Sequence, residues 1–488
     1  MITGEYWKLQ DDEALRKIDA AAVRLLSRGG VRIDHEGMVD VLEGAGCRID
    51  RPARRCTFPE TLIRDTIEHL RTPAETKVEV PYGWDPQRRT GHWGNYPHLL
   101  DWPGGERRLA TRQDVIDMAR MAHSLPEIAH VGKVLNCHEI DQRIEPLWAA
   151  LQLAQITDKP IGGGEIFYAD YIEPLVRMGE VLSGRPGDTS LVASCDFFIT
   201  PLILVRDQAE CFLTKRRFGI TNVPGTMPIS GLSAPVTIAG TVTLAVAELM
   251  AGWVIGFAVN PDLPAGGIVS SGSLDMRTLS ARFGSPEAML QDATVVNLCR
   301  RLYGIPVHAA TGYVDCKRPG LEAVFQKMLP LVGAPLGTGL HPGGGGLLSA
   351  GQDYSPVQHV LDTEIAHAVG RFWGNFEVTD ETIALDLIEK MLTAPQTNFL
   401  DTEHTAAHYK AEQWYPRWFD QTLWQSTQFE TEAERKMLER IDRYCKDAIR
   451  RYEPPEIDKD KIAELRRIFL AAERRILGSN VTCIDAPP

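Results

Sequence analysis

The stretch that most constrains this chain runs from Pro224 to Pro261 and reads PGTMPISGLSAPVTIAGTVTLAVAELMAGWVIGFAVNP. It opens with turn-forming residues, Pro224, Gly225, Pro228 and Gly231, and continues as an apolar run. About 20 such residues would cross a bilayer. Thr237, Thr241, Thr243 and Glu248 interrupt the run, as do Gly240, Gly252 and Gly256, and no Lys or Arg flanks it as an interfacial anchor. A helix apolar nearly all round yet carrying a carboxylate is a core helix of a large soluble protein. Ser233-Ala-Pro-Val predicts its start, with Pro235 in the first turn, and Asn260-Pro261 stops it. The expectation is a strand end, a glycine-rich loop and a packed helix, with the loop where ligands bind.

A buried helix needs a body around it, and 488 residues supply one large domain or two to three smaller ones. The formal net charge of −13 argues against nucleic acid or an anionic membrane surface as a partner. The nine cysteines are scattered and form no C-x-x-C pair, which suits buried thiols in a reducing compartment. The N-terminal MITGEYWKLQDDEALRK carries acidic residues and no apolar core of a signal peptide, so the cytoplasm is the expected location.

Residues 11–28 place Leu15, Ile18, Ala22, Leu25 and Leu26 on one helical face, closed by Gly29-Gly30. A short strand, a helix from His35 to Glu43, a second short strand and a helix through His69 follow. Lys77 to Arg107, rich in Gly, Pro and Trp, is read as an irregular segment crossing the face of the body, with a weak strand at Lys77–Val80. From Thr111 a capped helix leads into regular alternation. Apolar strands are predicted at Ala129–Leu135, Pro160–Gly164, Ser190–Ser194, Thr221–Pro224, Ile268–Ser271, Val307–Thr311 and Leu336–Gly339, with an ambiguous eighth near Phe399. The helices between are long enough for parallel crossovers. Eight such units predict an α/β fold of the (βα)8 TIM-barrel type over 111–412, with a mixed α/β N-terminal extension (1–110) and C-terminal helices packed outside (413–488). No G-x-G-x-x-G opens the first unit, which disfavours a dinucleotide-binding sheet.

Ligands of such a barrel bind at the carboxyl ends of the strands. Falling there are Asn136, Cys137, His138 and Glu139; Gly162-Gly163-Gly164-Glu165 with Phe167 and Tyr168; Cys195-Asp196-Phe197-Phe198; and Gly225-Thr226-Met227. Ser270 and Ser271, then Gly312, Tyr313 and Asp315, then His341 before four glycines, and His404 complete the set. Cys137 beside His138, and Cys195, invite a nucleophile reading that no spacing supports. His138, Glu165, Asp196, His341 and His404 lack the H-x-H, H-E-x-x-H or C-x-x-C spacing of metal ligands, so no protein-bound metal is expected.

Ser230 to Pro261 resembles the segment that marks the trimethylamine methyltransferase family. The likeness extends to Gly272-Ser-Leu-Asp-Met-Arg-Thr, Gly284-Ser-Pro-Glu, Tyr303-Gly-Ile-Pro, Asp362-Thr-Glu-Ile, Asp380-Glu-Thr-Ile-Ala-Leu-Asp, Phe399-Leu-Asp-Thr-Glu-His-Thr and the opening Gly30–Asp50. The resemblance implies a barrel that moves a methyl group from a methylated amine to the Co(I) of a corrinoid on a separate protein, since no D-x-H-x-x-G cobalamin motif is visible here. Gly312-Tyr-Val-Asp-Cys-Lys317 contains only standard residues, which places the chain in the non-pyrrolysine branch, resembling glycine betaine:corrinoid methyltransferases.

In that light Phe167, Tyr168, Phe197 and Tyr313 are candidate walls for a quaternary ammonium, with Glu165, Asp196 and Asp315 as its negative charge. Asn136, Arg277, His341 and His404 are candidate receivers of a substrate carboxylate, and His138 is a further candidate for substrate binding. Gly163, Gly164, Gly225 and Gly312 are candidates to face the corrinoid. The expected partners are a small quaternary amine, a corrinoid protein and further copies of the chain. Two other classes stay open: a barrel hydrolase or lyase using paired acids such as Glu165 with Asp196, and a non-catalytic binder of quaternary amines.

Overall fold

The computed structural model describes residues 8–72, 90–92, 94–193, 195–221, 223–310, 312–337, 345–373, 376–393, 398–421 and 432–478. Helix α1 (Asp12–Arg28) starts on Asp11, whose carboxylate accepts from the Ala14 N–H, and buries the predicted Leu15, Ala22 and Leu26. Strand β1 (Val31–Ile33), α2 (Glu36–Gly44), β2 (Arg48–Asp50), β3 (Arg55–Thr57) and α3 (Glu60–Leu70) follow. The next strands are β4 (Thr90–His92), β5 (His98–Leu100) and β6 (Arg107–Leu109). Helix α4 (Arg112–Ser124) opens with a reciprocal capping box between Thr111 and Asp114.

The alternating portion comprises β7 (Ile128–Gly132), α5 (Glu145–Ile156), β8 (Ile161–Gly162), α6 (Ile172–Ser183), β9 (Cys195–Phe197), β10 (Ile203–Leu204), α7 (Arg206–Arg217), β11 (Val223–Thr226), β12 (Ile229–Ser230), α8 (Ile238–Val259) and β13 (Ile268–Val269). After these come β14 (Gly272–Asp275), β15 (Ser280–Arg282), α9 (Pro286–Leu298), β16 (His308–Ala309) and α10 (Leu321–Gly337). The chain continues through β17 (Leu347–Leu348), β18 (Asp353–Tyr354), α11 (Pro356–Trp373), α12 (Asp380–Ile383), α13 (Leu385–Thr393) and α14 (Glu403–Glu412), and closes with α15 (Ala433–Arg450) and α16 (Lys459–Leu477).

The fold is α/β. Parallel pairing joins β4–β7–β8 and, separately, β9–β11–β13–β16. A parallel bridge between Gly164 and Val192 connects the two sets, so seven strands follow one another in chain order with their carboxyl ends on one side. Beyond both borders of this array lies the chain around β17 and β18. The N–H groups of Ser349 and Ala350 donate to the carbonyls of Cys316 (2.8 Å) and Val314 (2.7 Å) after β16. The Tyr354 ring stacks on Tyr96 after β4, with centroids 6.0 Å apart.

Several expected elements differ. The third strand forms at 195–197, because Asp188 turns the chain just before it by accepting from the Ser190 N–H. Leu336 and Gly337 end α10 rather than beginning a strand, and 338–339 lie outside the described residues, as does Lys77–Val80. Phe399 lies in a loop: its carbonyl accepts from the hydroxyls of Thr402 and Thr405 as the chain turns into α14. Thr90–His92, read as part of a segment crossing the body, belongs to the parallel array. The central helix begins at Thr237, whose hydroxyl accepts from the Gly240 N–H, while the Ser233 hydroxyl accepts from the Ile229 N–H in the turn before it.

Helix α8 is the one described helix long and apolar enough to cross a membrane, and it lies inside the molecule, packed by α1, α3, α9 and β11. Its carboxylate explains itself locally. Glu248 accepts from the Leu202 N–H (2.8 Å) and from the hydroxyls of Thr200 (2.9 Å) and Thr226, so the buried group has hydrogen-bond partners. Gly252 is required for contact: a Cβ there would stand 2.2 Å from Cβ of Pro224 on β11. One apolar core gathers α1–α3 around α8, and a second gathers α4, α5 and α6 with α15 and α16.

Candidate active site

Glu165 follows β8 at the carboxyl end of the array. Its Oε2 accepts from the amide of Asn95 (3.2 Å), which stands just past β4. Burial raises the Glu165 pKa above the ordinary 4.5, while Asn95, Lys133 and Lys215 oppose the rise. Asn136 donates to the backbone carbonyl of Asn95 (3.4 Å) and accepts from Lys133 Nζ (2.7 Å). Lys133 also pairs with the buried Glu145 (2.7 Å), whose other oxygen accepts from the Cys137 N–H (3.1 Å). This chain of contacts fixes Asn95 and Asn136, and through them the orientation of Glu165.

Two tyrosines border the same carboxylate. Burial, then the charges of Glu165 and Cys195, push the Tyr313 phenol up to about 12. Burial and the proximity of Tyr313 and Glu165 push Tyr96 up as well. Phe283 lies against Tyr313 with ring centroids 5.4 Å apart. A carboxylate with neutral phenols in electrostatic reach attracts a cation. Asn95, Tyr96, Phe283 and Lys133 were absent from the sequence-derived set. The first two follow a strand too short and Gly-flanked to be recognised, and Phe283 enters from the β14–β15 hairpin.

The other candidates separate. Asp196 is fully buried and paired with Lys215 (2.8 Å), which also donates to the Cys195 carbonyl (3.0 Å). Its carboxylate is thus neutralised by α7, and Glu165 gains no second acid of the kind a hydrolase would use. Asp315 accepts from the N–H groups of Phe283 (2.9 Å) and Gly284 (3.1 Å), holding the end of the hairpin that carries Phe283. Phe167 and Tyr168 are exposed, and their N–H groups donate to the Tyr171 hydroxyl (2.5 and 3.2 Å). His138 is exposed. His404 lies on α14 against His408, ring centroids 4.5 Å apart, and Arg277 pairs on the surface with Asp275 (2.9 Å). His341 lies outside the described residues.

Among the glycines, Gly225 accommodates the Phe197 ring, since a Cβ there would come within 2.6 Å of it, and Gly163 lets the Leu191 carbonyl approach, at 2.8 Å from such a Cβ. Gly164 faces only Lys133 Cε at 3.5 Å, and Gly312 has φ +128°, a backbone region that favours glycine. The cysteines are poor nucleophiles here: burial raises the Cys195 thiol well above 9 and Cys137 to about 11. Among the described residues no group of three or more His, Cys, Asp or Glu can hold a metal ion.

The parallel array, with Glu165 and aromatic side chains at its strand ends, makes an α/β fold that carries a candidate ligand site. The family model for trimethylamine methyltransferase (MTTB) matches residues 3–477. The chain belongs to the trimethylamine methyltransferase family, in its branch without pyrrolysine, and is a methyltransferase. It is 26% identical over 418 residues to the trimethylamine methyltransferase MttB of Desulfitobacterium hafniense strain DSM 10664 / DCB-2, covering 82% of each chain. It is 25% identical over 492 residues to the glycine betaine methyltransferase of Desulfitobacterium hafniense strain Y51, covering 97% of this chain and 98% of the relative. The crystal structure of the Methanosarcina barkeri monomethylamine methyltransferase (MtmB) aligns over 91% of this chain and 95% of its own, at 15% identity and a TM-score of 0.44.

Proposed function

We propose that this methyltransferase takes its methyl group from a quaternary amine of the glycine betaine type and delivers it to the Co(I) of a corrinoid carried by a separate protein. The observation that carries the reading is Glu165, half-buried at the strand ends, oriented by Asn95 and in electrostatic reach of Tyr313 and Tyr96. A quaternary nitrogen has no N–H to donate, so ring faces and one carboxylate are the groups that recognise it. Supporting it are the family and the glycine betaine methyltransferase alignment along nearly the whole chain.

Methyl transfer from a quaternary nitrogen needs no acid on the leaving group, because the amine departs neutral. The chain's own work is then positioning and exclusion of water. Glu165 and the tyrosines hold the cationic head, and Asn95, Asn136 and Lys133 keep Glu165 aimed. The corrinoid supplies the nucleophile that accepts the methyl group. Gly164 and Gly312 are the glycines left to admit it, since Gly163 and Gly225 serve packing within the chain.

We further infer that the array closes as a (βα)8 barrel. In its support, residues 349–354 touch both its borders, after β16 and after β4. In this reading β4 adds a barrel strand from within the segment assigned to the N-terminal extension (1–110), the barrel continues through 111–412, and 413–488 buttress it from outside. We take the chain to be soluble and cytoplasmic; that α8, the one described helix apolar enough to cross a membrane, is packed inside the molecule supports solubility.

The test is single-turnover reaction of the purified chain with a reduced corrinoid protein and, in turn, glycine betaine, carnitine, proline betaine and trimethylamine. Methyl-cobalt formation from a quaternary amine and none from trimethylamine is expected. Turnover of trimethylamine alone, or of none of them, overturns the substrate class.

A further inference from the structure

On β7, Val131 is fully buried in the apolar core it shares with α4 and α5, so His130 before it and Gly132 after it belong to the opposite, inner face of the array. The register agrees: Gly132 pairs with Gly162 on β8, and a Cβ at Gly162 would stand 3.3 Å from Cδ2 of His130. Farther along the array the same alternation holds. Asp196 turns to Lys215 on α7, and the next residue, Phe197, shares a row with Gly225, Ile268 and His308. The inner face thus carries the imidazoles of His130 and His308, towards its two borders.

His130 is half-buried, and among the described residues it has no hydrogen-bond partner. Burial lowers its pKa below 6.5, which leaves a neutral ring with one N–H to donate at neutral pH. His92 on β4 differs, for its Nδ1 meets the Gly132 carbonyl at 3.0 Å and its ring turns to Tyr354 and His359. The inner-face positions beside and above His130 on β7 and β8 are Gly132 and Gly162. Neither has a side chain, so these strands leave the way from the imidazole to the strand ends open. Glu165 follows Gly162 by three residues, roughly 10 Å of extended chain, which is room for a cationic head, a short linker and a carboxylate.

The methyl group to be transferred must face the carboxyl end of the array, where the corrinoid reaches it. The rest of the substrate then points inward, past Glu165 and along Gly162. We propose that His130 receives the carboxylate of the quaternary amine by donating its ring N–H, and so selects betaines over quaternary amines that carry no acid. This assignment rests on the reading given above, in which Glu165 holds the cationic head. A carboxylate taken out of water needs a donor. Of the receivers expected from the sequence, Asn136 is engaged by Lys133 and Asn95, and Arg277 by Asp275 on the surface, whereas His130 has an N–H to give.

The full-length chain is titrated calorimetrically with glycine betaine and with choline, which has the same trimethylammonium head and a hydroxyl in place of the carboxylate. The wild type is expected to bind glycine betaine more tightly than choline by about 10-fold or more. His130→Ala is expected to lose about 10- to 100-fold for glycine betaine, the range of a hydrogen bond to a charged group, and to bind choline within about twofold of wild type. His130→Gln, which keeps an N–H donor, recovers part of the loss, and His308→Ala, on the same face near the other border, changes neither affinity. A wild type that binds choline as tightly as glycine betaine overturns the assignment, even if His130→Ala fails to fold. So do equal losses of both ligands in His130→Ala, or a selective loss of glycine betaine in His308→Ala instead. Binding of neither ligand by the wild type overturns the quaternary-amine reading itself, and the role of His130 with it.

Discussion

The side-chain amide of Asn95 donates to Oε2 of Glu165 across 3.2 Å, joining two residues 70 positions apart that follow β4 and β8, the strands on either side of β7. Asn95 is one of the influences that hold the Glu165 pKa down against burial. The ionised form is the one that attracts a cation, so this contact bears directly on function.

Glu165→Gln keeps an acceptor for Asn95 and removes the charge. It is expected to lower kcat/KM for a quaternary amine about 100-fold, on the order of 3 kcal/mol, the scale of losing one partner from an enclosed charge pair. In the wild type, kcat/KM for this permanently charged substrate falls as pH drops through the Glu165 pKa, which burial places above 4.5. Asn95→Ala, by removing a contact that lowers that pKa, moves the acid limb to higher pH. A pH–rate profile unchanged in Asn95→Ala would remove Asn95 from this role.

Tyr313 tests the aromatic part of the site. Tyr313→Phe retains the ring face and is expected to bind a quaternary amine within about threefold of wild type, whereas Tyr313→Ala weakens binding by about 2 kcal/mol, or roughly 30-fold. Calorimetric titration with glycine betaine distinguishes the two. Equal losses in both variants would assign the role to the hydroxyl.

Lys215 and Asp196 are each fully buried, and they neutralise one another between β9 and α7. Lys215→Met leaves an uncompensated carboxylate in the core and is expected to cost about 3–5 kcal/mol in urea unfolding. The double variant with Asp196→Leu is expected to recover most of it. A single variant as stable as wild type would show that Asp196 is satisfied without Lys215.

Asp292 accepts from the Ser271 N–H (2.7 Å), and burial raises its pKa to about 7, against 3.8 when exposed. Between those values the folded chain holds a proton that the unfolded chain releases, so this group makes the fold less stable as pH rises from about 4 to 7. Asp292→Asn keeps the acceptor and cannot ionise. Relative to wild type it should gain stability at pH 8, by on the order of 4 kcal/mol, and little at pH 4. Thermal melts at both pH values measure this, and an equal change at both would rule out the titration.

Much of the fold was legible because periodicity and caps are local signals. The 11–28 amphipathic face, the Thr111 cap and the buried α8 with its odd carboxylate all follow from spacing along the chain. Two- and three-residue strands carry little periodicity, which is why β4 went unseen and the seventh strand fell on the end of α10. Position after a strand picks out Glu165, Asn136 and Tyr313 as candidates, and the fold brings them to the same end of the array. Position alone could not tell which way a side chain turns, and Asp196 and Asp315, chosen on the same grounds, turn to Lys215 and to the backbone of Phe283 and Gly284.

The sequence by itself determined the long helices, the buried central one among them, and the family, because each is written in contiguous residues. Only the tertiary structure decided where the strand-end carboxylates turn: Asp196 to Lys215, Asp315 to backbone N–H groups and Glu165 to Asn95. A carboxylate's chemistry depends on the charges and ring faces within a few ångströms of it. For Glu165 the groups that act on it, Asn95 by a hydrogen bond and Tyr96, Lys133 and Tyr313 electrostatically, come from segments that only the folding of the array brings together.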